Sequence, residues 1–155
     1  VDGGIMRNVN VSDITIRGTE SPIFIRLADR ARAYSPDHPV EGVGSISGVV
    51  LHDIIIDEAG PSGSSITGLE GHPVTDIVLH DITINHAGGQ GVTAPADEKR
   101  AEYPESTMWG ILPAQGFWLN HTKGVTMRNI KVNALAPDAR PVILATDSEQ
   151  LVISN

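Results

Sequence analysis

Apolar and polar positions alternate along this chain in a phrase that returns several times. It runs through Val9, Val11, Asp13, Ile14 and Ile16, then Val49, Leu51, Asp53, Ile54 and Ile56, then Ile77, Leu79, Asp81, Ile82 and Ile84. A fourth copy is Val125, Met127, Asn129, Ile130 and Val132, and Leu151, Ile153 and Asn155 restart the pattern. Period-two alternation dominated by β-branched residues predicts a strand with one buried face. Within each copy the alternation breaks at an Asp or Asn followed directly by Ile, so the chain must bend there and redirect its inward face. Short Asp and Asn side chains bond to nearby backbone and accept turn geometry.

Counted between Asp13, Asp53, Asp81, Asn129 and Asn155, the copies lie 40, 28, 48 and 26 residues apart. The short spacings predict one coil of roughly 22–28 residues and the long ones a coil plus an insertion. Each copy has a companion apolar run, at residues 22–26, 65–68, 116–120 and 141–145, bounded by Gly, Pro or Ser. Two or three short strands per coil, stacked in register about 4.8 Å apart, describe an all-β parallel β-helix, a solenoid of about five coils. Residues 28–45 carry Pro, Gly and mixed charge without periodicity and read as a loop projecting from the coil. Residues 88–113 form the longest interruption, and ordered loops of that length are more often functional than accidental. Residues 1–155 read as one partial domain, cut inside a coil.

Composition narrows the possibilities. Hydrophobic residues make up 40% and charged residues 19%, and no apolar run reaches the roughly 20 residues a membrane helix requires. A net charge of −8 opposes nonspecific nucleic-acid binding. Without cysteine there is neither a disulfide framework nor a thiolate metal site. The first residues lack the basic and long apolar segments of a signal peptide. Asn10-Val11-Ser12 and Asn120-His121-Thr122 match the glycosylation sequon, as short motifs do by chance.

Four stretches together, residues 3–26, 66–89, 101–132 and 138–144, resemble glycoside hydrolase family 28, the polygalacturonases and their rhamnogalacturonan-acting relatives. The most specific element is Tyr103-Pro104-Glu105, followed by Met108, Gly110, Pro113-Ala114 and Gly116. The resemblance implies a right-handed parallel β-helix and inverting hydrolysis of pectic polysaccharide, with no cofactor. It also implies a full-length protein that is secreted or periplasmic. The family's Asn-Thr-Asp, Asp-Asp, Gly-His-Gly and Arg-Ile-Lys motifs do not occur: Gly71-His72-Pro73 lies after the coil where the third belongs, and Arg128-Asn129-Ile130-Lys131 carries an extra residue. The resemblance therefore implies a C-terminal portion of the fold whose catalytic carboxylates belong to coils not included here.

Candidate chemistry is weighed against plain structural roles. Asp13, Asp53 and Asp81 stack at equivalent positions with Asn129, and a side chain repeated at every bend reads first as a turn former. His52 and His80 would stack outward one coil apart, but no third metal ligand is evident, so no metal site is assigned. His86 and His121 flank the long loop, as do Glu102, Tyr103 and Glu105, where aromatic and acidic groups could contact a sugar. Trp109, Phe117 and Trp118 are candidates for a saccharide platform; Trp118 is the surface member if Phe117 is core. Arg140 either pairs with Asp138 or contacts a uronate, surface pairing being the commoner outcome.

The expected substrate-binding set is thus Tyr103, Glu105, His121, Trp118 and Arg140, with no catalytic residue. The expected partner is a pectic oligo- or polysaccharide, with neither nucleic acid nor membrane. Two other functions remain open: a non-catalytic β-helix for polysaccharide binding or assembly, and a lyase using calcium and a carboxylate cluster. Uncapped coils expose strand edges, so residues 1–10 and 146–155 are expected to fray or to meet another copy end to end.

Overall fold

A computed structural model describes residues 3–40, 42–94 and 97–155. Val1 and Asp2 of the expected end contact, Glu41 of the first loop, and Pro95 and Ala96 of the second lie outside the described residues. Among the described residues there are seven strands and no helix: β1 (Ile5–Arg17), β2 (Phe24–Arg26), β3 (Ser45–Ala59), β4 (Ser64–Thr67), β5 (Val74–Gly88), β6 (Phe117–Ala136) and β7 (Ile143–Ser154). Every strand pairing is parallel. The strands curl as a half-barrel around an aliphatic core.

The recurring phrase sits in register from strand to strand. Val9, Val49, Ile77, Val125 and Leu151 are lateral neighbours, as are Val11, Leu51, Leu79, Met127 and Ile153. Beyond the bend, Ile14, Ile54, Ile82 and Ile130 form another row, and Ile16, Ile56, Ile84 and Val132 a fourth. Their inward side chains fill the core, where Ile77, Leu79 and Ile82 are wholly buried. Burial fades toward β1 and β7, where Ile5 is 72% and Ile153 50% exposed.

The bend has a specific geometry. Asp13, Asp53, Asp81 and Asn129 all take left-handed backbone, with φ of 58°, 52°, 55° and 48°. Asp and Asn tolerate this region better than most L residues, which lose roughly 1–2 kcal/mol there. A single left-handed residue turns the strand and lets the three-residue step from Leu51 to Ile54 keep both side chains inward. The alternation pattern did not reveal a second corner five residues earlier. It lies at Asn8, Gly48, Asp76, Gly124 and Gln150, with φ between 56° and 72°.

A shorter column runs beside the long one. Phe24, Ser65, Trp118 and Leu144 form one of its rows, and Ile25, Ile66, Leu119 and Ala145 the next. β6 and β7 belong to both columns, turning between them at His121 and Asp147, again left-handed at 49° and 46°. At the same corner the earlier passes carry residues 27–44 and 68–73. At the opposite edge, the return to the short column is brief except at residues 89–116. The two long loops expected near 28–45 and 88–113 therefore flank the same short column from opposite sides.

The corner geometry makes a prediction. Asp53→Val, which puts a β-branched residue at φ of 52°, should lower the unfolding free energy in urea titrations by about 2 kcal/mol. Asp53→Asn should leave it within about 0.5 kcal/mol of the parent. Equal stability of the two variants would contradict the left-handed corner.

Candidate functional site

Alternation in the short column points Phe117, Ile66 and Leu119 into the main core, and Trp118, Leu144, Arg26 and Asn120 to the other face. Both long loops fold over that outer face and meet there. The Asp29 N–H donates to the Arg100 carbonyl at 2.9 Å, and Arg100 Nε and Nη2 donate to Asp29 Oδ2 at 3.1 and 3.0 Å. Arg26 is buried beneath the contact: Nη2 donates to the carbonyls of Glu98 and Lys99 at 2.5 and 2.8 Å, and Nη1 to Thr67 Oγ1 at 3.3 Å. Its guanidinium lies 4.7 Å over the Trp109 ring. Burial lowers its pKa from the ordinary arginine range, against the raising influence of Glu98 and Glu102.

The expected sugar-contacting residues divide into two groups. Tyr103 is 70% exposed on the second loop, with the Arg30 guanidinium 5.1 Å from its ring centroid. Glu105 is exposed on the same loop and accepts only a long 3.5 Å bond from Thr107 Oγ1. His121 is half-buried at the corner, its Nε2 3.7 Å from Glu98 Oε2, and lines a cavity of about 260 Å³ with Lys123, Asp147 and Glu149. These three stay reachable.

Trp118 and Arg140 do not. Alternation correctly points Trp118 away from Phe117, but Trp109, Leu112 and Ala114 of the long loop cover it, leaving it 1% exposed. Its indole N–H donates to Thr146 Oγ1 at 3.2 Å, and Trp109 meets it edge-on at 5.1 Å. It anchors the loop and offers no platform. Arg140 pairs with Asp138, as one reading expected, but the pair is fully buried. Nε and Nη2 donate to the Asp138 carboxylate at 2.9 and 2.7 Å. Nη1 and Nη2 also donate to the carbonyls of Pro61, Ser62, Leu112 and Ala114. Every guanidinium nitrogen is thus engaged, none is left for a uronate, and the bonds from Arg140 hold the Asp138 carboxyl below the usual range.

His86 has a defined tautomer at the base of the long loop. The Gly88 N–H donates to its Nδ1 at 3.1 Å, so that nitrogen is unprotonated and Nε2 carries the hydrogen given to Gln115 Oε1 at 3.3 Å. Burial lowers its pKa, with bonding to Gln115 and the charge of Asp138 acting the other way. The ring is neutral as folded.

Other acidic groups by this face are also engaged. Glu98 accepts the Glu70 N–H at 3.3 Å and lies 3.7 Å from Arg100, and Glu102 is 3.4 Å from Lys99. Away from it, His52 and His80 stack 4.8 Å apart and nearly parallel, each with Nδ1 on the following aspartate at 2.6 and 2.7 Å. Asp81 is held below the ordinary carboxylate range by its bonds to His80 and Asn129. No group of three His, Asp or Glu among the described residues could hold a metal ion. Of the sequons, Asn120 and Thr122 are buried, which closes that site to a glycan.

Sequence reasoning missed a cavity of about 710 Å³ lined by Arg30, Arg32, Tyr34, His38, Pro39 and Val40 of the first loop. The available signal was the spacing of Arg26, Arg30 and Arg32 in a chain of net charge −8. Comparisons with known protein families, curated proteins and solved structures find no match.

Two outcomes follow. Arg140→Ala strands the buried Asp138 carboxylate and four carbonyls, and should cost about 3–5 kcal/mol in denaturant titrations; a cost under about 1 kcal/mol would contradict the buried pair. For His86 the folded pKa lies below the unfolded value. Its stabilising contribution is therefore complete above about pH 6.5 and is lost as pH falls from there through the folded pKa. The melting temperature should drop between pH 8 and pH 5, and His86→Gln should shrink that drop.

Proposed function

We propose that this chain is part of a right-handed parallel β-helix of about five coils, from a polygalacturonase-like glycoside hydrolase, and that it binds pectic polysaccharide. The observation that carries this reading is the meeting of two long loops over one strand face, with Tyr103 and Glu105 left open there. The in-register rungs and the left-handed Asp corners support the solenoid. The stretches quoted above, especially Tyr103-Pro104-Glu105 through Gly116, support the family.

Inverting hydrolysis needs a carboxylic acid and a carboxylate base on either side of the scissile bond, roughly 6.5–9.5 Å apart in most families. Asp29, Glu98, Glu102 and Asp138 are each committed to a basic partner, and Glu105, left open, cannot by itself serve as both acid and base. The proposal therefore assigns acid and base to coils outside this sequence and gives this segment a substrate-holding role. Those same commitments favour the second reading, a β-helix that binds polysaccharide without cleaving it. The sequence upstream in the gene separates the two, since Asn-Thr-Asp and Asp-Asp segments there fit only the hydrolase.

Affinity electrophoresis and a reducing-end assay test the role of the chain itself. Polygalacturonate in the gel should retard it and a neutral glucan should not, while incubation with polygalacturonate should release no reducing ends. Cleavage by these residues alone, or equal retardation by both polymers, would overturn the reading.

A further inference from the structure

We propose that His86 is a proton-operated latch on the entry stem of the long loop 89–116. A proton taken up at Nδ1 ejects the Gly88 N–H and lets residues 88–92 swing out about Gly88 and Gly89 while the core stays folded.

The ring ties the two ends of that loop together. Its Nδ1 accepts the Gly88 N–H at 3.1 Å where the chain leaves β5, and its Nε2–H donates to Gln115 Oε1 at 3.3 Å where the chain returns. Gln115 is itself fixed, its Nε2 donating to the Arg140 carbonyl at 2.8 Å and its N–H to the Pro141 carbonyl at 2.9 Å. His86 is buried. A proton added to Nδ1 sets two donors against each other across 3.1 Å in that buried site, and one of them must leave. Gln115 Oε1 still accepts from Nε2, so the conflict falls on the Gly88 side alone.

The surroundings offset the new charge only in part. The charged groups facing the ring are Asp138 and Arg140, and the Asp138 carboxylate already accepts from the Arg140 N–H, Nε and Nη2. The lateral neighbours of His86, Ala59 of β3 and Ala134 of β6, are uncharged. Elsewhere on β3, Asp57 accepts from Asn85 and Glu58 is exposed. Burial accordingly lowers the His86 pKa, Arg140 acting with it and Gln115 and Asp138 against it.

Little else holds residues 88–92. Gly88 and Gly89 have φ of 67° and 81°, and glycine crosses between backbone regions at small cost. Gly89, Gly91 and Val92 are exposed. Apart from the latch, the segment is tied by the end of the β5–β6 ladder, Gly88 opposite Ala136, and by the Ala139 N–H on the Gln90 carbonyl at 2.9 Å. Further along, Thr93 Oγ1 donates to the Leu112 carbonyl, Arg140 to those of Leu112 and Ala114, and Arg26 to those of Glu98 and Lys99. Opening therefore stops at Thr93, a local event with few contacts to break.

The test is NMR hydrogen exchange on the full chain at pH 7 and pH 5, each amide rate divided by its intrinsic rate. An opened ring regains the ordinary histidine pKa of about 6.5, so protection of the Gly88 and Ala139 amides should fall about tenfold or more between the two. Both should be less protected than Ile77 and Leu79 of the core. Low urea should leave Gly88 exchange unchanged and speed Ile77 and Leu79, because a local opening exposes little surface. His86→Gln should remove the pH dependence at Gly88. If that variant unfolds, the ring nitrogen shifts of the parent carry the test: at pH 7 they should show a neutral ring protonated at Nε2. A ring charged or protonated at Nδ1 at pH 7 would overturn the latch, as would Gly88 protection that is equal at both pH values. Gly88 and Ile77 exchanging with the same protection and the same urea response would also overturn it, since the stem would then open only when the whole chain unfolds.

Discussion

Left-handed backbone is a costly conformation for an L residue, and this chain adopts it at the same point on successive passes. Asp13, Asp53, Asp81 and Asn129 turn their strands with nearly equal φ. The rest of the structure depends on that repetition. Equal corners keep consecutive passes the same shape, and equal shape lets parallel strands bond along their whole length. If one corner were replaced by a longer turn, the Ile row beyond it would slip, and a one-residue slip would turn its apolar set outward.

Stacking of equivalent positions also explains the side-chain ladders on the outside. Asn85 donates to Asp57 at 2.7 Å and Asn133 to Asn85 at 2.9 Å, while Asn129 donates to Asp81 and His52 lies flat on His80. These contacts are spaced by the sheet itself, because neighbouring strands lie about 4.8 Å apart. A column of aspartates would repel itself. The histidines beside Asp53 and Asp81, and the substitution of Asn129 in the next strand, relieve that repulsion and keep Asp81 readily ionised.

The strand rows and bends were legible because both are local. Alternation marks an inward face, and Asp before Ile marks a break in it. The second corner was hidden because Asn8, Gly48, Asp76, Gly124 and Gln150 share no residue type, only a backbone preference that Gly satisfies freely and Asn and Asp tolerate. Trp118 and Arg140 were misjudged for a different reason. Their direction or partner could be read from neighbouring residues, but their burial depends on a loop whose path is set by distant contacts such as Leu112 N–H to the Ser62 carbonyl. The cavity at Arg30 is also non-local, since Gly3 joins residues 30–40 in its wall. Tyr103, Glu105 and His121 could be chosen from loop position alone, and they remain accessible.

Loops gathered on one strand face give a small acidic protein a place where cations, aromatic rings and open space coincide. That arrangement is only as sound as the register beneath it. The most direct test is NMR measurement of interstrand contacts together with the couplings that report the sign of φ. The account predicts parallel-sheet contacts linking Val9, Val49, Ile77, Val125 and Leu151 in succession, and positive φ at Asp13, Asp53, Asp81 and Asn129. Close Hα–Hα contacts between neighbouring strands, the mark of antiparallel pairing, or negative φ at those four residues would contradict it.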